Sequence, residues 1–248
     1  MTVNHPHRPA APNQLAARLA RLGLPAAGTQ ARQATLPGPL QAFHRALLGA
    51  FLTETGPPDL RIVGWLAADL ELEPEAALAA LAAADLVHAD PATGRVRVAY
   101  PFSGMATPHR VELAEGPTVY AMCALDALAV PQMTRRSGRI RSADPTSGHM
   151  ITVEVDDHGW RWQPVTTVVL AGTGTVSEAC GSVADCCCPY INFHVSLAAA
   201  NTYRQAHPAL TAELLDQPEA VAAAERIFDG LLHPRPSHGP AGFPPTSH

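Results

Sequence analysis

Two short segments of the sequence carry side chains that could do chemistry together. In Tyr-Ala-Met-Cys-Ala-Leu-Asp at 120–126, the thiol of Cys123 lies three residues from the carboxyl of Asp126. On a helix that spacing places both groups on one face, close enough to share a metal ion or a proton. In Cys-Cys-Cys-Pro-Tyr-Ile-Asn-Phe at 186–193, three consecutive cysteines end at Cys188, and the proline after them opposes an ordinary helix interior.

Each segment also has a purely structural interpretation. A lone Cys123 would usually be a small buried hydrophobic residue. Asp126 weakens that interpretation, because an aspartate within an apolar stretch is costly to bury unless it is paired, ligated or protonated. Clustered cysteines often bind structural zinc, but such sites space their cysteines by two to four residues, and no such pair occurs here. Soft thiolates beside a carboxylate that can move a proton favour bond breaking at a soft metal over metal storage.

Composition excludes several other classes of protein. The chain has 248 residues, 47% of them hydrophobic, which suits one large or two small globular domains. A net charge of -5 gives no basic field for nucleic acid or an anionic membrane. All 17 cationic residues are arginine, so lysine Schiff bases and a P-loop lysine are excluded.

The number and spacing of the cysteines bear on the cellular compartment in which the protein is expected. The cysteines are Cys123, Cys180, Cys186, Cys187 and Cys188. An odd count with three adjacent members is poorly suited to a disulfide framework. No apolar run approaches the length of a bilayer, and no secretory segment opens the chain. We therefore expect reduced thiols and a cytoplasmic location.

Composition and residue pattern divide the chain into four regions. Residues 1–37 hold four arginines and no acid, and they include an amphipathic stretch at 13–24. A transit peptide has a similar composition, but we expect a helical arm that is partly disordered. Residues 38–103 predict three helices and a hairpin with its turn at 90–94, the outline of a winged helix. Residues 104–233 predict an α+β catalytic domain with a mixed or antiparallel sheet. Residues 234–248 are rich in proline and predict a disordered tail.

Within the third region the pattern predicts individual elements. The expected strands are 110–113, 139–142, 150–155 and 164–170, with a hairpin turn at 144–148; the expected helices are 119–128, 197–207 and 218–232.

A winged helix invites a DNA-binding interpretation, and the charges oppose it. Residues 36–103 hold eight acids against four arginines, and the third helix, which would enter the groove, is acidic. Because a recognition helix must neutralise phosphates, we expect a structural or lid-forming domain and no nucleic-acid partner.

The sequence resembles the organomercurial (alkylmercury) lyase family. The likeness rests on Tyr-Ala-x-Cys-Ala-Leu-Asp at 120–126, on Arg-Ile-Arg-Ser-x-x-x-Thr-Ser-Gly at 139–148 and on Cys-Cys-Pro-x-x-Asn-Phe at 187–193, in the family's order and separation. It extends more faintly over residues 38–232. The chain departs from well-known members at Met122, at His194 and by its third cysteine, Cys186, which bears on substrate range.

The resemblance implies a site and a reaction. Carried over by position, the family's two cysteines and aspartate fall on Cys123, Asp126 and Cys188, with Cys187 as the alternative if the loop is shifted by one residue. They would bind mercury and split the carbon-mercury bond of an alkyl or aryl mercury compound, giving a hydrocarbon and Hg(II) as part of organomercury detoxification. No organic cofactor is implied; free thiols or a mercuric reductase would remove the metal.

Other functions remain open at this point. The chain could be a soft-metal sensor or a sequestering protein in which a winged helix accompanies the thiols. It could also be a relative with the lyase fold that acts on another organometal, such as an organotin compound. Release of hydrocarbon separates an enzyme from a metal-binding protein.

Overall fold

The computed structural model describes residues 12–24, 28–53, 56–174 and 182–233. The helices in these ranges are α1 (Pro12–Arg21), α2 (Gly28–Ala34), α3 (Gly38–Phe51), α4 (Leu60–Ala68), α5 (Pro74–Ala83), α6 (Ala124–Thr134), α7 (Val183–Cys186), α8 (Leu197–Ala206) and α9 (Gln217–Phe228). In this described part of the chain, every helix is too short or too polar to cross a membrane.

The strands form two antiparallel sheets. They are β1 (Val87–Ala89), β2 (Val96–Ala99), β3 (Phe102–Ser103), β4 (Arg110–Leu113), β5 (Thr118–Ala121), β6 (Gly138–Ala143), β7 (Met150–Asp156), β8 (Gly159–Gln163), β9 (Val168–Thr173), β10 (Ile191–His194) and β11 (Thr211–Leu215). The larger sheet has the order β1-β2-β3-β5-β4-β6-β7-β8, and the smaller has the order β10-β9-β11. The fold is therefore α+β with antiparallel sheets, as the sequence predicts.

Helices α3, α4 and α5 pack on one another before the hairpin β1–β2. Asp59 caps α4 by accepting hydrogen bonds from the amides of Arg61 and Ile62, both at 2.9 Å. The ring of Phe51 stacks on that of Phe102 with centroids 5.3 Å apart. Strand β3 pairs with both β2 and β5, so the sheet runs without a break from the hairpin into the strands of the second half.

Helix α6 lies at the centre of the molecule. Nine of its eleven residues are buried, because α9 covers one side and β4, β5 and β10 cover others. A mainly apolar helix of this kind belongs in a core, and small alanines at 124, 127 and 129 let its neighbours approach closely.

Helices α1 and α2 bind to the same body. Arg18 of α1 forms ion pairs with Glu213 at 3.0 Å and with the buried Glu219 at 2.7 Å. Gly28 opens α2 with φ +77°, and a side chain there would lie 2.8 Å from the carbonyl oxygen of Arg226 in α9. Glycine is required because both the backbone angle and the close approach exclude a Cβ.

Several predicted elements are confirmed, including the hairpin around 144–148, α1, α8 and α9 within a few residues. The helix predicted over 119–128 is wrong at its start. Val119 and Tyr120 pair in the sheet as β5, and the helix begins only at Ala124, because Cys123 is extended with φ -151°. Residues 1–11 of the predicted arm and the predicted tail at 234–248 lie outside the described residues.

The strand predicted over 164–170 is displaced to β9. Pro164 has no amide hydrogen to give to a sheet, so pairing starts only at Val168. Strands β8, β10 and β11 are not predicted. All four residues of β10 are buried, including the polar Asn192 and His194, so exposure does not follow the polarity of the sequence there. In β11 the tertiary contact with β9 prevails over residues that suit helices.

Candidate active site

The first half of the site lies at the junction between the end of β5 and the start of α6. Cys123 is the N-cap of α6, and its sulfur accepts a hydrogen bond from the amide of Asp126 at 3.5 Å. The two side chains are therefore neighbours through capping geometry, not because both lie on a helix face as the sequence suggests. The chain turns sharply here because β5 is fixed in the sheet while α6 must enter the core.

The second half comes from the short turn that precedes β10. Cys188 opens a 3-10 turn with Pro189 next to it, where proline is tolerated because the missing amide would have no helical partner. Its thiol lies 3.8 Å from Oδ2 of Asp126, to which it can donate. One ligand atom from each of Cys123, Asp126 and Cys188 lies within 4.8 Å of the others, so all three can reach one ion.

All three side chains are 3% exposed, and burial sets their protonation. Desolvation raises the pKa of Asp126 to about 7, although hydrogen bonds from both thiols and the charge of Arg32 oppose the shift. Burial also raises the pKa of Cys123 well above its usual range. For Cys188 the bond with Cys123 lowers the pKa, but burial and the neighbouring charges of Asp126 and Cys187 raise it to about 11. Near neutral pH the site therefore holds two thiols and a carboxyl that readily gains or loses a proton.

A narrow cavity gives access to these groups. Its volume is about 20 Å³, room for about one water molecule. The described residues that line it, besides the three site residues, are Leu24, Thr29, Arg32, Tyr100, Leu125, Val183, Ile191, Ile227 and Phe228. The wall is mostly apolar, which keeps water from the reacting groups and suits an organic substituent.

The remaining sequence candidates lie apart from this cluster. The thiol of Cys187 is buried and turned toward the carbonyl oxygen of Leu22 (3.8 Å) and the hydroxyl of Thr173 (3.5 Å). Cys186 is disulfide-bonded, which corrects the expectation that the adjacent cysteines are all reduced. Cys180 lies outside the described residues. Tyr120 does not line the cavity.

The hairpin motif and His194 have structural roles near the site. The Asp144 carboxylate accepts amide bonds from Thr146 and Ser147 in its own turn and from Val195 after β10, at 2.8, 2.9 and 2.9 Å. It thereby fastens the β6–β7 hairpin to the end of the strand that follows Cys188. His194 is fully buried beside this carboxylate, at 3.8 Å.

Three polar residues near the site were not found from the sequence. Arg32 and Tyr100 line the cavity, and Asp85 binds both of them, at 2.6 Å to Arg32 and 3.4 Å to Tyr100. Each comes from the first hundred residues, far from the cysteine motifs. Nothing in the local sequence of these residues distinguishes them; only the folded chain, in which Tyr100 binds the amide of Ala184 and Arg32 lines the cavity, brings them to the site.

Two buried thiols and a carboxyl around one narrow apolar cavity, in an α+β protein, are a set of donor groups that suits a soft metal ion. A family model described as alkylmercury lyase matches residues 102–229, about half of the chain. The chain belongs to the alkylmercury lyase family.

Individual relatives agree with this assignment. The chain is 34% identical over 116 residues to the alkylmercury lyase of Staphylococcus epidermidis, covering 46% of this chain and 51% of that one. It is 29% identical over 127 residues to that of Pseudomonas putida, covering 51% and 57%. The chain thus spans about half the length of the curated relatives it matches. The crystal structure of the mercury-bound form of MerB2 shares the fold, with a TM-score of 0.65 at 18% identity over 88% of this chain and 99% of that one.

Proposed function

We propose that this chain is an organomercurial lyase that cleaves the carbon-mercury bond of alkyl or aryl mercury compounds by protonolysis. The observation that carries the proposal is the meeting of Cys123, Asp126 and Cys188 within 4.8 Å in a buried, mainly apolar cavity. The curated relatives carry the name alkylmercury lyase, and the structural neighbour is described as mercury-bound.

Capture of the metal is the first step. One of the two thiols, Cys123 or Cys188, forms a sulfur-mercury bond and loses its proton as the substrate gives up its counter-ligand X. Asp126 lies beside both sulfurs and accepts that proton, since its carboxyl gains or loses one near pH 7. The helix N-terminus at Cys123 favours negative charge on this sulfur as the bond forms.

Protonation of carbon is the difficult step. The second thiol ligates mercury, its proton leaves with X as HX, and the electron density of its sulfur passes through the metal to the carbon. Asp126 then delivers its proton to the carbon, so the carbon-mercury bond breaks and a carbon-hydrogen bond forms. Overall R-Hg-X and two thiols give R-H, HX and Hg(II) on two sulfurs. Because the buried site has a low dielectric constant, the electrostatic interactions that accompany each step are stronger there than in water.

The cavity must widen to admit a substrate. A methylmercury ion is larger than the single water for which the cavity has room. Leu24, Thr29 and Arg32 come from the N-terminal segments, whereas the cysteines lie on the central body. We infer that entry separates wall side chains contributed by these segments from those of α9.

Release of Hg(II) needs an acceptor with thiols. Two sulfurs hold a soft ion tightly, so exchange onto low-molecular-weight thiols or onto a mercuric reductase removes it faster than dissociation does. Exchange requires reduced thiols, and we therefore place the protein in the cytoplasm, with organomercury resistance as its role. No organic cofactor enters the scheme.

The direct test is hydrocarbon release. Purified protein with phenylmercury or methylmercury and an excess of free thiol should give benzene or methane catalytically, measured by gas chromatography, with one Hg(II) per hydrocarbon. Binding of mercury without any hydrocarbon would overturn the proposed function and identify a metal-sequestering protein. An organotin compound in a parallel reaction tests the wider substrate range.

We also propose that residues 38–103 form a winged-helix-like unit with a structural role. Its hairpin continues into the larger sheet, its residue Tyr100 lines the cavity, and its residue Asp85 accepts a hydrogen bond from Tyr100. The third helix, α5, carries Glu75 in its first turn and no basic residue in its last. Because such a helix repels phosphates, we expect no retardation of duplex DNA in a gel-shift assay, with or without Hg(II). Retardation at physiological salt would contradict this role and favour a metal sensor.

A further inference from the structure

Tyr100 links the N-terminal unit to the segment that carries Cys188. It follows β2 directly, its side chain is 2% exposed, and its ring lines the cavity. Its hydroxyl accepts a hydrogen bond from the amide of Ala184 at 2.5 Å. Ala184 lies in the first turn of α7, four residues before Cys188.

The first turn of a helix has amides without a partner inside the helix. Such an amide is often bound by the side chain of the N-cap residue. In α7 the N-cap residue Ser182 makes no side-chain bond to these amides, and its hydroxyl donates to Asp185 at 2.7 Å. The phenol of Tyr100 supplies an acceptor from outside. A residue distant in sequence thus fixes the start of the turn that delivers Cys188.

The phenol is itself held from the other side. Its hydroxyl donates to Oδ1 of Asp85 at 3.4 Å, and the same carboxylate binds Arg32 at 2.6 Å and His88 at 2.7 Å. Asp85 has φ +50°, a conformation that aspartate tolerates better than most residues. The guanidinium carbon of Arg32 lies 5.9 Å from the centroid of the Tyr100 ring. These contacts leave the hydroxyl little freedom to move.

We propose that Tyr100 is a positioning residue of the site, whose hydroxyl holds α7 so that the sulfur of Cys188 stays within joint reach of the sulfur of Cys123. This inference rests on the proposed function for its meaning in catalysis. The hydroxyl is occupied by Ala184 and Asp85, so it acts on the site through the backbone of α7 and exchanges no proton with substrate.

The test uses a probe that needs both sulfurs at once. Phenylarsine oxide condenses with two thiols, forming two arsenic-sulfur bonds and releasing water, only when the thiols lie close together. Tyr100→Phe removes the hydroxyl and keeps the ring. We expect its affinity for phenylarsine oxide to fall about tenfold, the loss typical of one buried hydrogen bond, and kcat for hydrocarbon release to fall with it while KM changes less.

A matched control separates positioning from general loss of stability. Ser142→Ala also removes a buried hydroxyl, one that lies 3.0 Å from Nδ1 of His109 and outside the cavity. It should bind phenylarsine oxide like the parent protein. If Tyr100→Phe does not fold, Asp85→Asn gives the same comparison, because it keeps the phenol and weakens the hold on its hydroxyl.

The outcomes are distinct. A folded Tyr100→Phe, or the folded Asp85→Asn used in its place, that binds phenylarsine oxide as tightly as the parent protein overturns the positioning role. Absence of hydrocarbon release by the parent protein contradicts the proposed function instead, and the arsenic measurement does not depend on turnover.

Discussion

Replacing either Cys123 or Cys188 by serine is expected to lower hydrocarbon release by at least about 1,000-fold, because the proposed reaction needs both sulfurs as ligands of one mercury ion. A serine hydroxyl is a hard, weakly acidic donor with little affinity for mercury. One remaining thiol still captures the substrate, yet it cannot supply the second ligand that raises electron density on the carbon. Gas chromatography of the hydrocarbon, alongside mercury binding by each variant, measures the two steps separately.

Cys187→Ser is the matched control. Cys187 is adjacent to Cys188 and buried, but its thiol is turned toward Leu22 and Thr173. This variant should keep turnover within a few-fold of the parent protein. The reverse result, an inactive Cys187 variant with an active Cys188 variant, would move the second ligand by one residue. Full activity in either the Cys123 or the Cys188 variant would refute the two-thiolate mechanism.

Asp126→Asn is expected to bind organomercurial normally and to protonolyse it about 100-fold to 1,000-fold more slowly, the range for loss of a positioned proton donor. Burial raises the pKa of Asp126 to about 7, so the protonated carboxyl is present below that pH and is lost above it. In single-turnover experiments on protein already loaded with substrate, the parent rate should be constant below about pH 7 and decline above it. The variant should show no such decline.

Stability gives a second readout for Asp126 that does not depend on activity. Its folded-state pKa of about 7 exceeds the ordinary value of 3.8, so the stability contributed by the neutral carboxyl is full below about pH 4 and lost as pH rises toward 7. The loss is roughly 4 kcal/mol, at about 1.4 kcal/mol per pH unit. Asp126→Asn should therefore gain thermal stability relative to the parent protein between pH 4 and pH 8.

Asp144→Asn is the control for both measurements. Its carboxylate is equally buried but accepts three backbone amides, so its loss should destabilise the protein without altering the pH dependence of protonolysis. A protonolysis rate in Asp126→Asn equal to that of the parent protein would remove the proton-transfer role from this residue.

The sequence by itself determined which donor groups the site can offer. A cysteine and an aspartate three apart in an apolar segment, and a second cysteine before proline, narrow the donors to soft sulfur and one carboxyl whatever the fold. It also determined the α+β class and the hairpin around Asp144, because alternation and turn residues act locally. That α5 carries Glu75 and no basic residue can likewise be read from the sequence.

Only the tertiary structure decided how these groups act. The relation of Cys123 to Asp126 is a helix cap, since pairing of β5 delays the start of the helix to Ala124, later than the local pattern suggests. The choice of Cys188 over Cys187 depends on which sulfur the turn before β10 directs to the cavity. Tyr100 joins the site through its bond to Ala184, 84 residues along the chain, and Asp85 joins it through Tyr100. The raised pKa of Asp126 comes from burial by α9 and its neighbours. Burial and long-range contact are properties of the packed molecule, which no local pattern contains.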